Sequence, residues 1–205
     1  MDIIVLGTGG VVMKNRVITI SRQFGSGGRT IGKEVAAKLG IPCYDQELIE
    51  MFARESGFSK EHITEIDEQT TPKKLFSSVA DRARQSSYIQ AALWRVQKKV
   101  ILDLAEKGPC VIVGRCADYI LRDAADCLSV YIHADIEKRA ERIVKVYGET
   151  DEAPMKRITD KDKRRKEYYE LHTDAKWGAA ENFHIALDSA ALGPDTCVKI
   201  LVGLY

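Results

Sequence analysis

Residues 22–32 read RQFGSGGRTIG and follow the apolar run VITIS at 17–21. Gly25, Ser26, Gly27 and Gly28 let the backbone turn tightly, so that successive N–H groups point into one concavity. A helix beginning behind them adds its positive end. That is the chemistry of phosphate binding. The usual spelling of such a loop is G-x-x-x-x-G-K-[ST]. Here Gln23 stands where the first glycine belongs and Arg29 where the lysine belongs, while Thr30 supplies the hydroxyl that ligates Mg²⁺. A guanidinium keeps the positive charge but spreads it over a planar fork, which suits phosphate. Gln23 is the awkward departure, since it puts a side chain at the mouth of the loop. A glycine-rich turn with no ligand is the alternative; the order strand, glycine loop, helix favours phosphate binding.

Other residues carry charge or aromatic area at useful places. Gly114-Arg115 closes the apolar run CVIVG at 110–114, at the carboxyl edge where α/β sheets bind ligands. Asp45 follows IPCY at 41–44 and is equally suited to capping the helix behind it. Arg139 and Arg142 are three apart and share a helix face. Lys161, Arg164 and Arg165 form a second basic group, interleaved with Asp160, Asp162 and Glu167, so a solvated charged face is the alternative for any one of them. Tyr168, Tyr169 and Trp177 have the ring area to stack a base, although packing is the commoner fate of aromatics at helical spacing. His62, His133, His172 and His184 show no ligand spacing and are assigned no metal.

These residues need elements to hold them. Val17–Ser21, Ile41–Tyr44, 110–114, 128–134 and 184–188 read as strands, and the continuous apolar runs are those of strands covered on both faces. Thr30–Leu39, Gln46–Arg54, Ser87–Lys107, Asp135–Val146, a charged segment at Pro154–His172 and Asp195–Leu201 read as helices. A further helix start is expected at Ser59–His62 and a break at Thr70-Thr71-Pro72. Strand and helix in alternation predict an α/β fold on a parallel sheet.

The stretch ITISRQFGSGGRTIGKEVAAKLGIPCYDQELI closely resembles the opening of the cytidylate kinase-like proteins, which carry the same arginine for lysine. The likeness continues through VIVGRCADYIL, IEKRAERI and DKDKRRKEYY to HIALDSAALG and covers nearly all of Met13–Tyr205. It implies a three-layer P-loop kinase fold: five parallel strands, helices on both faces, an acceptor-binding helical region near 45–108 and a lid near 139–172. It implies ATP and Mg²⁺ as cofactors and a nucleoside monophosphate, CMP or dCMP foremost, as phosphate acceptor. Gly25 to Thr30 would hold the donor phosphates, Arg29 would bridge donor and transferred group, and Thr30 would meet the metal. Asp45 and Arg115 would orient the acceptor, with Arg139, Arg142, Arg164 and Arg165 closing over the transferred group. The family's usual Asp after the Gly-Arg pair is Cys116 here, with Asp118 two residues further on, which weakens a cytosine-specific assignment. Asp188 matches a family position beside the adenine pocket, or caps a turn. CYDQELIE also resembles small-metabolite kinases of the shikimate type, and a non-catalytic nucleotide-binding module is the third reading.

Composition sets the outer limits. A chain of 205 residues, 45% hydrophobic and 30% charged, predicts one ordinary globular domain. A net charge of +1 gives no bulk attraction to nucleic acid or anionic membrane, so neither is an expected partner; monomer and homo-oligomer both stay open. Five scattered cysteines without a CxxC pair predict neither a disulfide framework nor structural zinc, and fit a reducing cytoplasm. The segment MDIIVLGTGGVV lacks the third glycine of a dinucleotide loop, and with Met13 just after it, residues 1–12 are expected to be an upstream extension.

Overall fold

The computed structural model describes residues 13–45, 47–57, 79–148, 150 and 152–205, with side chains from Arg16 onward and, in the long central helix, from Tyr88 onward. The expected extension at 1–12, the helix start at Ser59–His62 and the break at Thr70–Pro72 lie outside the described residues. β1 (Met13–Arg22) leads through the glycine loop into α1 (Gly28–Leu39). β2 (Cys43–Tyr44), α2 (Glu47–Ser56), the long α3 (Val79–Lys107) and β3 (Cys110–Val113) follow. A short α4 (Ala117–Leu121) precedes β4 (Ala125–His133) and α5 (Ile136–Tyr147). Then come α6 (Pro154–His172), a 3-10 turn at Ala180–Asn182, β5 (Ile185–Asp188), α7 (Ser189–Leu192) and α8 (Pro194–Leu204).

All strand pairs are parallel, in the order β2-β3-β1-β4-β5. β1 is central and covered on both faces: neighbours Val17 and Ile18 are both 0% exposed, and the polar Thr19 and Ser21 are buried with them. Val17, Cys110 and Ile112 pack toward Leu48, Phe52 and Ile101, so α2, α3 and α4 cover one face. Ile18, Ile20, Val111 and Val113 pack toward Ile31, Val35 and Leu201, so α1 and α8 cover the other. The expected five-stranded parallel sheet between two helical layers is present. β1 and β4 begin earlier than the apolar runs suggest, because Arg16 and Asp126 pair in register although neither is apolar. Among the described residues no helix is long and apolar enough to cross a membrane.

Register decides where the site lies. Ile20 pairs with Val113 on one side and with Val130 on the other, so Arg22, Gly114 and Ile132 arrive together at the carboxyl edge. The chain adds β2 and β3 on one side of β1, and β4 and β5 on the other. Such a switch of direction opens a crevice at the strand ends.

Candidate active site

Gln23 does not obstruct the loop. Its Oε1 accepts from the Ala134 amide at 3.1 Å and its own amide donates to the Ile132 carbonyl at 3.0 Å, which turns the side chain along the end of β4. Gly27 sits at φ +82°, a left-handed conformation that side chains rarely adopt, and forms the N-cap of α1. The first intrahelical bond runs from Ile31 N to the Gly27 carbonyl, so the amides of Gly28, Arg29 and Thr30 precede it. Ser26 faces inward, 2% exposed, its hydroxyl 2.9 Å from the Gln23 carbonyl and 3.1 Å from that of Ile132. It braces the loop from behind, whereas Gly25, Gly27, Gly28, Arg29 and Thr30 line a cavity of about 310 Å³.

That cavity gathers Arg22, Arg29, Arg115, Arg142, Lys161 and Arg165 around one carboxylate, Asp45. Arg29 Nε donates to Asp45 Oδ2, and Arg22 Nη2 stands 3.9 Å from Asp45 Oδ1. Among the described residues that line it, six cationic groups face one carboxylate, which makes this concavity positive although the chain as a whole is near neutral. Arg142 Nη2 donates to Thr30 Oγ1 at 3.1 Å, and both residues line the cavity. Among the described residues no three metal-ligating side chains converge. The Thr30 hydroxyl fits Mg²⁺ as a single protein ligand, since that ion keeps few protein ligands and takes phosphate oxygens.

An adjoining cavity of about 180 Å³ shares Arg22, Arg115, Lys161 and Arg165 and adds Arg164, Tyr168, Tyr169 and Trp177. The two groups expected to close over the site therefore separate. Arg142 and Arg165 reach the loop cavity, Arg164 lines only the smaller one, and Arg139 lines neither. Arg139 is 6% exposed, and its guanidinium donates to the carbonyls of Ala134 and Phe24 and to Asp162 Oδ2 at 2.6 Å. Asp162 Oδ1 in turn accepts from the Phe24 amide at 2.7 Å. Arg165 Nη1 donates to the Arg22 carbonyl at 3.0 Å, and Phe24 stacks on Tyr147 with centroids 6.0 Å apart. Ile158, Asp162, Arg165 and Tyr169, spaced by four, three and four, share one face of α6, from which Asp162 and Arg165 reach the backbone of Phe24 and Arg22.

The apolar run of β1 ends at Ser21, so the sequence pattern leaves Arg22 just outside the strand. One more strand residue would have placed it at the same carboxyl edge that marked Arg115. Gly114, Arg115 and Cys116 have φ of 79°, 59° and 53°, three left-handed residues in succession. A Cβ on Gly114 would run into the Arg22 guanidinium. Left-handed backbone at the two non-glycine positions costs of order 1–3 kcal/mol each and persists where the surroundings hold it. Gln97, buried on α3, also went unread, although a polar residue four after Leu93 and four before Ile101 interrupts an apolar stripe and signals a bonded role.

Asp118 is set apart from both of these cavities. It is 7% exposed, accepts from the Tyr169 hydroxyl at 2.7 Å, and lines a third cavity near Ser129 and His184. Burial pushes its carboxyl above the usual range and pushes the Tyr169 hydroxyl up as well. Asp188 accepts from the Ala190 and Ala191 amides and caps α7. His172 stacks on Trp94 at 4.5 Å, and burial lowers its pKa.

A family model described as the cytidylate kinase-like family matches residues 17–191. The cytidylate kinase of Pyrobaculum calidifontis is 25% identical over 186 residues, which cover 90% of this chain and 89% of that protein. The cytidylate kinase of Pyrococcus horikoshii is 29% identical over 158 residues, covering 76% and 71%. Among solved structures, an uncharacterized protein from Eubacterium ventriosum matches with TM-score 0.65 at 24% identity, over 92% of this chain and 96% of that one. The shikimate kinase from Acinetobacter baumannii, in complex with shikimate, matches with TM-score 0.51 at 17% identity over 93% of each chain. The structural matches establish the fold, that of the P-loop kinases.

Proposed function

This chain belongs to the cytidylate kinase-like family, and from that premise we propose that it transfers the γ-phosphoryl group of ATP to a nucleoside monophosphate, CMP or dCMP foremost. The observation that carries the proposal is the gathering of Arg22, Arg29, Arg115, Arg142, Lys161 and Arg165 around the glycine loop. A donor triphosphate and an acceptor phosphate together bring more negative charge than one lysine-bearing loop can balance.

The chemistry asks the protein mainly for alignment and positive charge. The loop amides and the N-terminus of α1 hold the donor phosphates, and the fork of Arg29 reaches across the bond that breaks. Arg22 and Arg115 hold the acceptor's phosphate so that one of its oxygens faces the transferred phosphorus. Arg142, Lys161 and Arg165 face the same space from α5 and α6 and counter the charge spread over the group in flight. The Thr30 hydroxyl would hold Mg²⁺, which would supply further charge neutralisation at the phosphates. The new P–O bond forms as the bond to ADP breaks, and no protein nucleophile is required. Arg139 and Asp162 act behind this arrangement, fixing the loop at Phe24.

A shikimate-type metabolite kinase is the second reading, favoured by Asp45 within the cavity. Charge argues against it: a hydroxy acid carries one carboxylate, whereas the acceptor side offers Arg22, Arg115, Arg164 and Arg165. ADP release measured with a panel of nucleoside monophosphates, shikimate and sugar acids separates the two. Stimulation by CMP or dCMP is expected; stimulation by hydroxy acids alone would overturn the nucleotide assignment.

A further inference from the structure

Gln97 lies on α3, lines neither phosphate cavity and is 3% exposed. Its Nε2 donates to the Arg115 carbonyl at 2.8 Å, and its Oε1 accepts from the Tyr168 hydroxyl at 2.8 Å. A buried carboxamide engaged at both ends is held against rotation, because turning it would set acceptor against acceptor at the Arg115 carbonyl and take from the Tyr168 hydroxyl its acceptor. The group it holds is the turn that aims an acceptor arginine. In that turn the Gly114 carbonyl accepts from Ala117 N and the Cys116 carbonyl from Ile120 N, both within the start of α4. The Arg115 carbonyl is taken instead by a side chain from another element. Its direction fixes the plane of the peptide between two left-handed residues, and so the vector along which the Arg115 side chain leaves the backbone.

We infer that Gln97 is a positioning residue for Arg115, and that it ties the acceptor arginine to α6 through Tyr168. This rests on the nucleoside monophosphate reading of the site. Tyr168 lines the smaller cavity beside Arg115 and stands on the helix that carries Lys161, Arg164 and Arg165. Seating of α6 is thereby transmitted to the backbone of the acceptor arginine by two hydrogen bonds through one side chain. Among the described residues Gln97 makes no hydrogen bond to the glycine loop, so its effect falls on the acceptor.

A glutamine that merely satisfies the core would, when replaced, lower stability and disturb both substrates alike. The discriminating experiment measures KM for CMP and for ATP in wild type, Gln97→Met and Tyr168→Phe, with thermal unfolding alongside. Gln97→Met keeps length and volume but loses both bonds; Tyr168→Phe keeps the ring and loses one. The expected result is a rise of about tenfold in KM for CMP in Gln97→Met and a smaller rise in Tyr168→Phe, with KM for ATP within about twofold of wild type. Unchanged KM for CMP, or a parallel rise for ATP, would overturn the inference. Should Gln97→Met not fold, Tyr168→Phe decides by the same criterion. Wild-type protein that releases no ADP with CMP would remove the functional reading and this inference together, whereas an active wild type with indifferent variants removes the inference alone.

Discussion

Arg139 Nη1 lies 2.6 Å from Asp162 Oδ2, and the other oxygen of that carboxylate takes the Phe24 amide at 2.7 Å. An ion pair thus joins α5 to α6 and fastens both to the first residues of the glycine loop. With side chains 7% and 16% exposed, it lies mostly out of water, where removing one partner strands the other.

Arg139→Met should therefore cost about 2–4 kcal/mol in urea unfolding, toward the low end of what breaking a buried pair costs because Asp162 keeps some water. Affinity for ATP should fall as well, since the loop loses its bracket at Phe24. A variant as stable as wild type would show that the loop is held without the guanidinium.

Arg29 makes a sharper test of chemistry. Its side chain reaches into the loop cavity, where Asp45 accepts from it. Arg29→Ala should lower kcat by about 10²–10³, the loss seen when one preorganised charge-stabilising donor is removed. Arg29→Lys should recover part of that, because it restores charge without the fork. Equal kcat in all three, measured by ADP release with CMP, would place Arg29 outside the reaction.

Gly27 tests the loop's shape. An alanine there must hold φ +82°, with its Cβ 3.1–3.2 Å from the Arg142 guanidinium. The left-handed backbone costs about 1–2 kcal/mol for a non-glycine residue, and the displaced arginine is one that faces Thr30. Gly27→Ala should fold but bind ATP weakly by calorimetry; wild-type affinity would mean that the loop does not pass close to phosphate.

Much of this was legible because it depends on local pattern. Continuous apolar runs announced strands buried on both faces, and glycines before Arg29 and Thr30 announced the loop. Arg115 was found by its place after a buried strand. What escaped depends on contacts far apart in sequence. Gln23 looks obstructive until β4 supplies Ala134 to bond it. Asp162 sits among solvated charges, and only the stripe it shares with Ile158 and Tyr169 turns it inward. Arg139 and Arg142 share a helix face, yet the Arg139 guanidinium is buried against the Phe24 carbonyl while that of Arg142 lines the cavity beside Gly27 and Thr30.

Asp118 gives a pH signature. Burial raises its folded-state pKa above the ordinary 3.8, so the folded protein holds this proton more tightly than the unfolded chain. Its contribution to stability is thus fullest below that ordinary value and is lost as pH rises through the raised one. Asp118→Asn keeps an acceptor for the Tyr169 hydroxyl and removes the titration. Stability of the variant relative to wild type should increase between about pH 4 and pH 7 in urea unfolding. A difference that does not change with pH would contradict the burial of a titrating carboxyl.

The central claim is that the backbone from Gly25 to Thr30 wraps donor phosphate, with Arg29 serving where a lysine usually does. A crystal structure with ADP and Mg²⁺ tests it most directly. The β-phosphate should accept hydrogen bonds from the amides of that segment, with the Arg29 guanidinium turned toward it. An ordered nucleotide bound elsewhere, with those amides directed away, would contradict the account.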